Sequence, residues 1–223
     1  LQFLKDYFVA DPKEQSDSII HFLRYAEEVG AIANNGLLFS KDKFDIERYE
    51  RLKSISGEMM SLASGLPNNE IAEWLAVDTY YATPKMDVRG LIMQESEILF
   101  VQERSDARWT LPGGWCEVNE SPKEAIEKEV FEETGLEVQA TRLLALFDKH
   151  KHDHPPQVPH SYKCFFLCEV VGGSLEQSTT ETSAVQFISM AELPPLSTHR
   201  VTKEQVRRIY SLAMDPDHPT IFD

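Results

Sequence analysis

Glu129, Glu132 and Glu133 stand at i, i+3 and i+4 in a stretch of helical pattern, on a face apart from the apolar Ile126 and Val130. Side chains at that spacing have Cβ atoms about 5–6 Å apart, and like charges there destabilise a helix by a few tenths of a kcal/mol per pair. Three clustered carboxylates can be a solvated acidic face, or they can share a divalent cation. Oxygen-only donors with positions left for water suit Mg²⁺ or Mn²⁺, and Mg²⁺ serves sites that also hold substrate phosphates. On the second reading the chemistry served is the handling of substrate phosphates.

The helix that must carry these carboxylates is marked by its own local signals. Ser121 is a preferred N-cap, Pro122 suits the first helical position, and Glu124 completes a capping box. Gly135 can take the left-handed conformation that stops the helix, so the spacing predicts a helix over 122–134. Around it the apolar period is two, which predicts strands at Val88–Met93, Ile98–Gln102, Trp109–Leu111, Val138–Phe147, Tyr162–Val170 and Val185–Ser189, with a second helix at 202–214. Mixed strands around one well-marked helix predict a layered α/β or α+β domain from residue 84 to 223.

Residues 1–83 read differently. Asp17 or Ser18 can cap a helix that ends near Gly30, a second is expected from Asp42 to Leu62, and a third from Asn69 to Leu75. Three helices make a small core, so this N-terminal helical domain is expected to pack on the rest of the chain or on a second copy.

The 223 residues carry 22 Lys+Arg against 37 Asp+Glu, a net charge of −15, divided −6 before Pro84 and −9 from it onward. A phosphate-backbone partner rewards Lys and Arg, so nucleic acid and anionic membrane surfaces are poor partners for both halves. No apolar run approaches a membrane span, and the opening LQFLKDYFVADPKEQ lacks the core of a signal peptide, so a cytoplasmic location is expected. Cys116, Cys164 and Cys168 are expected to be free thiols.

Residues 111–136, LPGGWCEVNESPKEAIEKEVFEETGL, add a stricter constraint. From Gly114, five residues lead to Glu120, seven more to Lys128, then Glu129, Val130, Phe131, Glu132, Glu133, Thr134, Gly135 and Leu136. This resembles the Nudix box, G-x5-E-x7-R-E-U-x-E-E-x-G-U with U aliphatic, at every specified position but one: Lys128 stands where the family has Arg. The resemblance implies a Nudix fold, a mixed sheet between helices, and Mg²⁺-dependent hydrolysis of a nucleoside diphosphate linked to another moiety. It implies Glu129, Glu132 and Glu133 as metal ligands with the Gly113 carbonyl beside them. Lys128 would orient a box carboxylate, without the two-pronged grip of a guanidinium. Glu120 is implied as a loop–helix anchor, and Gly114 and Gly135 as structural box residues. The base that activates water is a box Glu or an acid from a later loop, for which Glu181 is the candidate.

Outside the box, the helical N-terminus with FDIERYERLKSISGEMM and the loop FDKHKHDHPPQVPHSYK resemble a bacterial Nudix subfamily whose members are labelled ADP-ribose or CDP-choline pyrophosphatases and are generally dimers. Loop 149–161 places His150, His152, His154 and His160 within eleven residues. Contact with substrate, at His150, His152 and His160 above all, is one reading. A zinc site is another, set against the lack of a nearby Cys and of a helix to fix ligand spacing. Arg89 and Arg104 are candidates for reaching phosphates, or salt-bridged surface residues. Trp109 and Trp115 can stack on a base or belong to the core. Two other functions compete with hydrolysis of a small nucleotide derivative: a non-catalytic nucleotide sensor, against which all box acids are present, and action on RNA ends, against which the net charge argues.

Overall fold

The computed structural model describes residues 12–77, 81–155 and 159–223. Chain contacts divide it into two units, one running up to Thr83 and the other taking Pro84–Pro155 and His160–Asp223.

The first unit holds α1 (Pro12–Phe39), α2 (Lys43–Ser64) and α3 (Asn68–Val77). Asp42 caps α2 by accepting from the backbone N–H groups of Phe44 and Asp45, and Gly65 closes it in the left-handed conformation. The expected stop at Gly30 is corrected: α1 continues for nine more residues. Gly30 is there because α2 crosses at that point. The Ser56 hydroxyl donates to the Ala26 carbonyl at 2.7 Å, and a Cβ on residue 30 would stand 2.6 Å from that hydroxyl oxygen. A glycine placed for close approach stays helical, because tertiary contact outweighs its roughly 1 kcal/mol helix penalty. The core is small, as expected: Leu23, Ala26, Met60 and Ile71, with Met59, Ala63 and Leu75 around them. Phe22, Tyr25, Ile32 and Phe39 are exposed and follow one another at three, seven and seven residues along α1, the interval of a helix-pairing seam.

The second unit is built on β1 (Lys85–Gln94), β2 (Glu97–Glu103), β3 (Trp109–Thr110), α4 (Pro122–Thr134), β4 (Leu136–Asp148), β5 (Ser161–Gly173), β6 (Thr182–Ser189), α5 (Lys203–Met214) and β7 (Ile221–Phe222). The strands run in the order β3-β2-β1-β5-β4-β7, with β6 also paired to β2. β1 is parallel to β5 and β4 to β7, and the other pairs are antiparallel. One face of this mixed sheet packs Val88, Leu99, Val101, Val138 and Cys164 against Ala125, Ile126 and Val130 of α4. The other packs Leu91, Phe100, Leu144, Phe147 and Phe165 against Val206, Ile209 and Leu212 of α5. The expected sheet between helices is therefore the observed architecture. β7, a two-residue strand beyond α5, is not among the expected strands.

Candidate active site

The local chemistry of α4 sets where its acids point. Both halves of the capping box form: Ser121 Oγ accepts from the Glu124 N–H at 3.3 Å, and Glu124 Oε2 accepts from the Ser121 N–H at 2.9 Å. Gly135 ends the helix at φ 73°. With Ala125, Ile126 and Val130 buried in the sheet, Glu133 lies at the margin of the core at 6% exposure, Glu129 is half-buried and Glu132 faces outward.

The segment Leu111–Gly114 is laid along β1, with the Val88 N–H donating to Gly114 O at 2.8 Å and the Gly90 N–H to Pro112 O at 2.9 Å. From there the Gly113 N–H donates to Glu133 Oε2 at 2.8 Å. Gly114 is glycine for a reason of space: a Cβ would stand 2.7 Å from Glu129 Oε2. The turn before β6 reaches the same place. The Thr182 hydroxyl donates to the Glu133 carbonyl at 3.0 Å, and one carboxylate oxygen each of Glu129, Glu133 and Glu181 lie within 4.8 Å of one another. The close trio thus joins two box acids to Glu181, whereas Glu132 stands on the exposed side of the helix.

Three carboxylates so close resist ionising together. Burial, with Glu129 and Glu103 nearby, pushes Glu133 up to about 8 despite Arg89 and the Gly113 N–H. Burial, with Glu132 and Glu181 beside it, pushes Glu129 up to about 7 against the pull of Arg89 and Lys128. The donors are all oxygens, two held from one rigid helix and one from a turn, a set that fits Mg²⁺ or Mn²⁺.

Arg89 is placed under this site, not in it. It is 4% exposed, and its guanidinium grips both Asp87 oxygens at 3.0 Å and donates to Leu111 O at 3.1 Å. A free guanidinium for phosphate is therefore not what this position supplies. Lys163, 2% exposed, completes the group by donating to Asp87 Oδ1 at 2.9 Å. Burial would raise the Asp87 carboxyl, but Arg89 and Lys163 outweigh it and hold it at about 2. Burial likewise brings Lys163 down to about 8 despite Asp87. Asp87 and Lys163 were missed from sequence. The readable signal was Asp87 and Arg89 two apart on one face of an otherwise apolar strand.

Lys128 binds the first acid of the box, Glu120, and not the Glu129–Glu132–Glu133 group. It pairs with Glu120 at 2.8 Å and Glu117 at 3.2 Å, fastening the loop to the helix. Arg104, exposed, donates to the Thr179 carbonyl and so braces the turn that carries Glu181. Among the histidines, His160 Nε2 meets Asp148 Oδ1 at 2.9 Å with His150 stacked on it, while His152 turns to Asp223 at 3.0 Å. Trp115 is exposed at 46% and Trp109 is half-buried, its N–H on Pro195 O. All three cysteines are free. Among the described residues no helix is long and apolar enough to cross a membrane.

A family model described as the NUDIX domain matches residues 83–209, and one described as a UDP-X-like, N-terminal oligomerisation domain matches residues 21–75. The chain belongs to the Nudix family and is a Nudix hydrolase. It is 44% identical over 202 residues to a Bacillus subtilis protein named "Putative ADP-ribose pyrophosphatase YjhB", covering 91% of this chain and 97% of that one. Among solved structures it is similar to a UDP-X diphosphatase at 38% identity and TM-score 0.60, covering 92% of this chain and 99% of that one. An ADP-ribose pyrophosphatase from Streptococcus suis 89-1591 matches at 44% identity and TM-score 0.57, over 63% of this chain and all of that one.

Proposed function

We propose that the chain hydrolyses the diphosphate of an ADP-ribose-like nucleoside diphosphate derivative, with CDP-choline and UDP-linked compounds as the neighbouring substrates to compare. The convergence of Glu129, Glu133 and Glu181 carries this reading. Glu129, Glu133 and the Gly113 carbonyl would hold Mg²⁺ or Mn²⁺, with Glu132 available from the exposed side. A cation held there would supply neutralisation of diphosphate oxygens and of the charge on the leaving phosphate. Water adds to one phosphorus, the bridging P–O bond breaks, and the products are a nucleoside monophosphate and a phosphorylated remainder. Glu181 accepts the water's proton. It is the exposed member of the trio, carried on a turn that is braced without its side chain.

The same reading makes the protein a homodimer through its N-terminal helices. The exposed Phe22, Tyr25, Ile32 and Phe39 stripe supports it.

The test is product analysis with Mg²⁺ or Mn²⁺ and a panel of ADP-ribose, CDP-choline, UDP-sugars, dinucleotides and nucleoside triphosphates. Release of monophosphate from one of the first three, lost on chelation, is expected. Turnover of no compound in the panel would overturn the reading in favour of a sensor, and turnover of only the dinucleotides or triphosphates would overturn the substrate class. Glu181→Gln should lower kcat by roughly 10²–10⁴ with its melting temperature unchanged. A wild-type kcat would remove Glu181 from the base role.

A further inference from the structure

A second cluster of ligand-type groups lies apart from the carboxylate trio, where β4 ends and β5 begins. One ring nitrogen each of His150 and His160 and one oxygen of Asp148 lie within 4.8 Å of one another. Two elements fix them. Asp148 is the last residue of β4 and caps the short 3₁₀ turn Lys149–Lys151 by accepting from the His150 N–H at 2.9 Å. His160 precedes β5, and its carbonyl accepts from the Lys85 N–H at 3.0 Å, so it is tied to the start of β1. Asp148 and Tyr162 are opposite one another across the β4–β5 ladder, which brings the two ends of the connection together. The order that the sequence did not offer, with neither helix nor cysteine, is thus supplied by a strand end, a capped turn and a strand start.

The rings stack at 4.4 Å and 12°. The cluster presents two imidazole nitrogens and a carboxylate oxygen. Ligands of one tetrahedral ion with bonds of about 2.0–2.2 Å stand roughly 3.4 Å apart, so modest side-chain rotation brings these three into place.

We propose that Asp148, His150 and His160 form a site for a divalent transition metal of the zinc type, with water in the fourth position, that pins the two ends of the β4–β5 connection. Nitrogen donors favour such a metal over Mg²⁺, while the all-oxygen trio does the reverse. The chain would then sort two kinds of cation by ligand chemistry.

Cobalt(II) is the probe, added to the full-length protein in excess Mg²⁺, because four-coordinate cobalt absorbs strongly in the visible. The expected result is one equivalent bound with tetrahedral bands in the wild type and in a Glu129→Gln/Glu133→Gln variant, and competed off by Zn²⁺. His152→Ala should keep the bands, since His152 pairs with Asp223. His150→Ala and His160→Ala should bind cobalt about tenfold or more weakly and lose the bands. If either alanine variant fails to fold, His160→Gln decides: its amide can still donate to Asp148 but is a poor ligand for zinc-type metals. No bands in the wild type, bands that survive in the His150 or His160 variants, or bands lost in the Glu129/Glu133 or His152 variants would each overturn the assignment.

Discussion

Replacing Glu133 by glutamine should stabilise the metal-free protein while abolishing its activity. Glu133 is 6% exposed, and its carboxyl is pushed up to about 8 by burial and by its acidic neighbours. In the unfolded chain a Glu titrates near 4.3. The folded state therefore holds this proton over a range in which the unfolded state has released it, so stability falls as pH rises from about 4.5 to about 8 and then levels off. At about 1.4 kcal/mol per pH unit, this one group subtracts about 2 kcal/mol more at pH 8 than at pH 6. Glutamine carries no charge to bury, and its amide oxygen can still accept from the Gly113 N–H. Thermal unfolding in a chelator from pH 6.0 to 8.5, above the pI near 4.9, should show the variant gaining on the wild type by roughly 4–8 °C across that interval. Saturating Mg²⁺ should reverse the order by stabilising the wild type alone. A metal-free variant less stable than wild type at pH 8, or a gap that does not grow with pH, would refute the reasoning.

Asp87→Ala should cost about 3–5 kcal/mol, because it leaves Arg89 and Lys163 buried without their shared anion. Chemical denaturation measures this, and added metal should not restore it. Gly114→Ala places a methyl group against both Glu129 carboxylate oxygens, and a displacement of about 1 Å at a reacting site costs on the order of 10² in rate. Its kcat should fall to that extent with the melting temperature little changed. Tyr25→Glu combined with Ile32→Glu should convert the assembly to single chains of 25.5 kDa by light scattering, and an unchanged mass would remove the α1 stripe from the interface.

What could be read from the sequence was what is local. The capping box at Ser121, the stop at Gly135 and the spacing of the box acids are set within one or two helical turns, and the structure places α4 where those signals put it. Glu181 stood out as an acid before a strand, but its nearness to Glu129 depends on β6 pairing with β2, which no short-range pattern reveals. The Asp87–Arg89–Lys163 group joins residues 76 positions apart, and only the parallel pairing of β1 with β5 makes them neighbours. Gly30 misled for the complementary reason. Glycine in a helical pattern signals either a stop or a close crossing, and the partner that decides, Ser56, lies 26 residues away. The histidines of the β4–β5 connection showed a composition without a geometry until the strand ends fixed one.

The raised carboxyls of Glu129 and Glu133 make cation capture an exchange reaction. At neutral pH both acids hold protons for part of the time, and a cation binding between them must expel those protons into the solvent. Apparent metal affinity should climb with pH across this range. The heat measured on titrating metal into the protein should change with the ionisation enthalpy of the buffer, the slope counting the protons released. With the proposed cation in that site, the working state would be set jointly by free divalent cation and by pH, so that a modest acidification at fixed cation concentration would act as partial metal withdrawal.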